Sequence, residues 1–144
     1  MTGRLAHDLG ERLALLTSLL RRDVRIGQIS PTQALVLATL DRQGPKRVSE
    51  LADIAHVAQP TMTTLLRKMA DDGVVSRESD PDDQRAVLIG LTDAGRGLVR
   101  QVRAAREQLL DARLAGLAEA DREAIARAIP ALDKLLEIWR KEGQ

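Results

Sequence analysis

The stretch QPTMTTLLRKMADDGVVSRESDPDDQRAVLIGLT, residues 59–92, changes its periodicity half-way along. In the first half Met62, Leu65, Leu66 and Met69 stand at i, i+3, i+4 and i+7, which places them on one buried side of a helix. Their spacing makes both methionines core residues rather than oxidation sensors. A turn of about 100° per residue puts Pro60, Thr64 and Arg67 on the opposite side, with Thr61, Thr63 and Lys68 flanking them. Gly73 marks the stop of this helix. Beyond it, GVVSRE and the partly β-branched run at 86–91 enclose SDPDD, a strongly turn-forming sequence, so the second half reads as strand, polar turn, strand. Four acids between Glu78 and Asp83 precede the single turn arginine, Arg85. Nothing else in the chain reads as strand.

The segments on either side read as helix. Just upstream, SELADIA predicts a short helix, and a three-residue turn around His56 leads into the helix described above. A short helix, a tight turn and a second helix with a polar outer face form a helix-turn-helix, whose second helix can enter a major groove. Hydroxyls on that face can bond several base edges, and arginine can fork onto guanine. The competing reading is a Thr-rich face that is merely solvated. Further upstream, SPTQALVLATL opens a helix in which Ser30 caps, Pro31 suits the first turn and Gln33 completes a capping box; Gly44 and Pro45 end it. Leu5, Leu9, Leu13, Leu16 and Leu20 predict an amphipathic helix from residue 5 to about residue 26.

After the strands, Thr92 can cap a long helix containing Leu98, Val102, Leu109 and Leu110. A last helix carries Ile125, Ile129, Leu132, Leu136 and Trp139, spaced four, three, four, three, and this 3.5-residue period suits packing along a helix–helix seam. Pro130 removes a backbone donor inside that helix and predicts a kink.

Composition sets the outer bounds. A chain of 144 residues fits one domain, or one domain with an appended arm. Folding would bury on the order of two-thirds of its unfolded surface. With no Cys, Tyr or Phe and only Trp139 as an aromatic, the core must be aliphatic, and disulfides, thiolate metal sites and cysteine nucleophiles are excluded. No apolar run reaches the roughly 20 residues of a membrane span, and MTGRLAHDLGERL lacks a signal peptide's apolar segment, so a soluble cytoplasmic protein with no membrane partner is expected. The 22 basic residues are 18 Arg and 4 Lys, a bias that phosphate recognition or GC-rich coding would equally produce. Net charge is only +1, so bulk charge does not argue for nucleic acid.

The motifs ISPTQALVLATL and VSELADIAHVAQPTMTTLLRKMADDGVVSRESDPDDQRAVLIGLTDAG make the chain resemble the MarR-type winged helix-turn-helix regulators of bacteria, over nearly all its length. The fold expected is mainly α with a small β-wing: a winged helix-turn-helix lobe at 31–91 and a helical dimerisation arm from both chain ends, 1–30 and 92–144. The resemblance implies a dimeric transcriptional regulator, a repressor, that binds a pseudo-palindromic operator in double-stranded DNA and is released by a small amphipathic or aromatic ligand. The recognition-helix residues would be Gln59, Pro60, Thr61, Thr63, Thr64, Arg67 and Lys68. On the wing, Arg85 would enter the minor groove and Asp83 would help to hold the loop. Gln84 departs from the pattern, because many relatives carry a second arginine there. The homodimer would use Leu5, Leu9, Ile125, Ile129, Leu132, Leu136 and Trp139. The ligand pocket would draw on the first helix, the second helix and the start of the long helix after the wing; its residues are unknown, with His7 and Arg12 read as ordinary surface.

Other classes have little support in the residues. His7 and His56 are the only histidines, and neither has a metal-binding partner at helical spacing. No serine or threonine has an evident base and no glycine loop cradles phosphate, so neither an enzyme nor a cofactor is expected. Asp80, Asp82 and Asp83 lack the Gly and terminal Glu of a calcium loop. The alternative that remains is a winged-helix protein-interaction module without specific operator binding, favoured by the near-neutral charge and the acidic wing.

Overall fold

The computed structural model describes residues 1–142. The last two positions of the expected arm, Gly143 and Gln144, lie outside the described residues. The elements run α1 (Thr2–Asp23), α2 (Pro31–Gln43), β1 (Lys46–Arg47), α3 (Val48–Ala55), α4 (Gln59–Asp71), β2 (Val75–Ser79), β3 (Val87–Leu91), α5 (Asp93–Leu114) and α6 (Glu119–Glu142). The chain divides into two units, residues 1–106 and 107–144.

Local chemistry explains where the helices of the first unit begin and end. Ser30 Oγ accepts from the Gln33 N–H at 3.1 Å and Gln33 Oε1 accepts from the Ser30 N–H at 2.8 Å, the expected reciprocal box, with Pro31 in the first turn. Gly44 ends α2 at φ 78°, which an L side chain rarely adopts. Glu50 accepts from the Arg47 N–H at 3.1 Å at the start of α3. His56 closes α3 in the left-handed region, φ 53°, so this histidine serves as a helix C-cap, a position usually filled by Gly or Asn. Thr92 does two jobs: its Oγ1 accepts from the Gly95 N–H at 3.0 Å, capping α5, and its hydroxyl donates to the Gly73 carbonyl at 2.6 Å.

A correction concerns the sheet. It has three strands in the order β1-β3-β2, all antiparallel, not two. Arg47 opposes Leu88 and Lys46 opposes Ile89, while Val75 through Ser79 oppose Leu91 through Val87. Strand β1 is two residues long, too short for any alternation of side chains to show; only its partner makes it a strand.

The first unit closes on an aliphatic core. Val36, Leu37 and Leu40 of α2, Leu51 and Ala52 of α3, Met62, Leu66 and Met69 of α4, Val75, Ile89 and Val99 are all buried. Met62 is fully enclosed at 0% exposure, as its place on the α4 stripe predicts, and Leu65 packs at the edge. Gly95 lets α5 start close to the preceding turn, since a Cβ there would stand 2.1 Å from the Val74 carbonyl oxygen. Asp41 of α2 accepts from Arg103 of α5 at 2.7 Å.

The terminal helices differ. No residue of α1 is buried, and Leu5, Leu13, Leu15, Leu16 and Leu19 all stand exposed. No described residue of the second unit is buried either: along α6, Ile125, Ile129, Leu136, Ile138 and Trp139 face solvent, Trp139 at 63%, while Leu132 is half-buried. The helix is continuous through Pro130.

Candidate nucleic-acid interface

Burial of Met62, Leu66 and Met69 turns the other side of α4 outward. Gln59, Pro60, Thr63, Thr64 and Arg67 line one open concavity on that side. Thr61 and Lys68 are exposed beside it. Thr63 donates its hydroxyl to the Gln59 carbonyl at 3.0 Å and Thr64 donates to the Pro60 carbonyl at 3.1 Å. Among the described residues Arg67 and Lys68 have no acidic partner, so both cations are available to an incoming anion.

The wing is built from β2, β3 and the loop between them. That loop is held by its acids. Asp83 Oδ1 accepts from the Arg85 N–H at 3.0 Å, and the Asp83 carbonyl accepts from Ala86 at 2.9 Å. Asp80 lies deeper, 4% exposed: its N–H donates to the Ala86 carbonyl at 3.0 Å and its Oδ1 accepts from the Asp82 N–H at 2.9 Å. Arg47 donates through Nε at 2.8 Å and Nη2 at 2.6 Å to Asp80 Oδ2. The Asp82 N–H first, and the Arg47 guanidinium second, hold the Asp80 carboxyl below the usual carboxylate range against the opposing effect of burial. Arg85 itself is exposed, with a guanidinium that has no partner among the described residues. The backbone under Arg85 is therefore fixed while its side chain stays free.

Sequence reasoning missed the Arg47–Asp80 pair. The two residues are 33 positions apart, and Asp80 looked like one turn-forming acid among several. A second anchor, between Asp41 and Arg103, spans 62 positions and was equally invisible.

A separate cavity of about 390 Å³ lies among α1, the link after it, α2 and the first half of α5. Leu20, Val24, Ile29, Leu35 and Val102 give it aliphatic walls, and Arg21 and Arg106 also line it. Neither arginine has an acidic partner among the described residues. His7 and Arg12 do not line it. No group of three or more His, Cys, Asp or Glu able to hold a metal occurs among the described residues. No described helix is long and apolar enough to cross a membrane.

Residues 29–87, which run from the residue before the α2 cap to the first residue of β3, match the model of the MarR family. The HTH-type transcriptional regulator MT0903.1 of Mycobacterium tuberculosis is 33% identical over 134 residues, covering 93% of this chain and 94% of its own. The chain belongs to the MarR family. The likeness of this MarR-family chain extends to the HTH-type transcriptional repressor MdtR of Bacillus subtilis, 26% identical over 80% of this chain and 74% of the repressor. The crystal structure of the transcriptional regulator Tm0710 from Thermotoga maritima superposes with a TM-score of 0.77, at 25% identity, over 96% of this chain and 99% of that one. The MarR-family fold is thus a mainly helical winged helix-turn-helix, and the protein is a helix-turn-helix transcriptional regulator.

Proposed function

We propose that this MarR-family regulator is a cytoplasmic homodimeric repressor that reads a pseudo-palindromic operator. Its α4 lies in the major groove and Arg85 of the wing in the adjoining minor groove. The observation that carries the reading is the pairing of an α4 outer face unused in packing with a wing whose loop is pinned while its tip guanidinium stays free. A narrow minor groove concentrates negative potential, so one guanidinium presented on a fixed loop binds there despite the acids around it. With Gln84 beside it, the wing loop supplies one cation where many relatives supply two, and its contribution to backbone affinity is correspondingly smaller.

Dimerisation is supported by the bare apolar stripes of α1 and α6, including Leu5, Ile125, Ile129, Leu136 and Trp139. A twofold protein presents two recognition helices about one duplex turn apart and so reads half-sites roughly 10 bp apart. Bound at a promoter, it would exclude polymerase. Release by a ligand is supported by the cavity between α1, α2 and α5, whose aliphatic walls and two unpaired arginines suit an amphipathic organic anion. Such a ligand acts only by binding the DNA-competent and DNA-incompetent arrangements with different affinity.

Titration against the DNA upstream of its own gene, at two salt concentrations with excess competitor, tests the reading. Competitor-resistant binding with a clear salt slope is expected. Arg67→Ala should change the preference among sequences, while Arg85→Ala should weaken binding roughly tenfold. Equal affinity of wild type and both variants would remove the proposed surface. The acidic wing favours one other reading, a protein-interaction module without operator specificity, and binding no tighter than to random DNA would support it.

A further inference from the structure

Two hydroxyls of the α4 outer face, those of Thr63 and Thr64, are already committed as donors. Thr63 and Thr64 each give their proton to a backbone carbonyl one turn back, at 3.0 and 3.1 Å. A threonine held this way offers its surroundings two things: a lone pair on Oγ1 and the Cγ2 methyl. Donating to a base carbonyl or ring nitrogen would require breaking the intrahelical bond first. Thr64 is the exposed member of the pair, and Pro60, one turn before it on the same face, adds an apolar ring. Arg67, one turn after it, is a free donor fork.

We propose that Thr64 is a specificity-determining residue that recognises thymine through its C5-methyl group, packed against the Thr64 methyl and the Pro60 ring. This rests on the operator-binding reading above and assigns it a base preference. In the major groove only thymine carries a methyl, so an apolar pair of this kind selects it over the other three bases. The Thr64 oxygen, with its proton engaged, accepts from the exocyclic amine of an adenine or cytosine in the adjoining pair. Arg67 forks onto guanine O6 and N7. Three residues of helix advance about 4.5 Å and a base pair about 3.4 Å, so that guanine lies one to two pairs from the thymine. The operator half-site is therefore a thymine next to or one removed from a guanine, rather than a run of guanines read by donated hydroxyls.

The test uses the full-length protein. Duplexes are first enriched from a random pool, and each thymine of the enriched half-site is then replaced singly by uracil, which differs only in lacking the methyl. Wild type should lose about fourfold in affinity at one position, the value of one buried methyl-sized group. Thr64→Ser, which keeps the hydroxyl and drops the methyl, should discriminate thymine from uracil clearly less than wild type, with only the Pro60 ring left against the thymine methyl. Thr64→Val, which keeps the methyl and drops the hydroxyl, should still prefer thymine. Because the side chain is solvent-exposed, both variants should match wild type in thermal unfolding. Enriched sites without thymine, uracil tolerated by wild type, or a thymine preference that is undiminished in Thr64→Ser or vanishes in Thr64→Val would overturn the assignment while leaving operator binding intact. Failure to enrich any sequence would overturn both.

Discussion

The winged lobe and the terminal helices follow opposite rules of burial. Between Val36 and Val99 the lobe encloses eleven aliphatic side chains, and every helix there has one side in the core. Helices α1 and α6 are 22 and 24 residues long, carry leucines and isoleucines at helical spacing, and bury none of them. A lobe with a closed core can hold its shape alone. A long helix with a bare apolar stripe gains from a neighbour about 25 cal/mol for each Å² it covers. The difference teaches that the same heptad-like pattern carries different information at the two places: in α4 it specifies the inside of a fold, and in α6 it specifies an exposed apolar surface, the face on which the proposed homodimer rests.

The sharpest way to break that contrast is a charge on the bare stripe. Leu136→Glu with Ile129→Glu should leave the lobe folded, convert the protein to monomer by light scattering, and cut operator affinity a hundredfold or more, because only one half-site is then held at a time. A dimer that survives both changes would mean that the α6 stripe is not the interface. Leu66→Ala should do the reverse: about 3 kcal/mol lost in denaturant unfolding, from a residue 1% exposed in the core, with assembly lost only as the lobe melts.

Gly95→Ala asks how tightly α5 is joined to the lobe. The added Cβ would meet the Val74 carbonyl at 2.1 Å, so the start of α5 must shift, and a cost of about 1–3 kcal/mol should appear as a lowered melting temperature. The smallest effect belongs to the wing anchor. Asp80→Asn should keep global stability near wild type while weakening DNA binding several-fold, read by titration, because Arg47 loses its ionic partner and the loop under Arg85 loosens. Its pH dependence has a definite sign. The Asp80 carboxyl is depressed in the fold, so its contribution is complete above the ordinary carboxylate range near pH 4 and disappears as pH falls through the lower, folded value. Wing order followed by amide exchange should thus be flat from pH 8 to about 5 and decline only in stronger acid, and Asn at position 80 should abolish that acid-side decline.

How far the chain can be read without coordinates depends on the distance over which each signal acts. The Ser30–Gln33 box, the Gly44 and Gly73 stops, the Thr92 cap and the Met62–Met69 stripe are interactions among residues within a few positions of one another, and all are present at the places their spacing predicts. The outward face of α4 followed from the same arithmetic, since naming the buried side of a helix names the exposed one. The three-stranded sheet did not follow: β1 is strand only because Leu88 and Ile89 run beside it.

By itself, then, the sequence determined which segments are helical, the caps of α2 and α5, the stops of α2 and α4, and which side of each helix is apolar, because backbone hydrogen bonding and helical period are properties of neighbours along the chain; the ends of α1, expected at residue 5 and about residue 26, lie instead at Thr2 and Asp23. Tertiary structure alone decided which acid anchors the wing, with Arg47 crossing 33 residues to Asp80. It also decided which apolar stripes find partners within the chain, and that Thr63 and Thr64 give their protons to the backbone and face outward as acceptors. Those outcomes depend on distances between residues that no local pattern encodes.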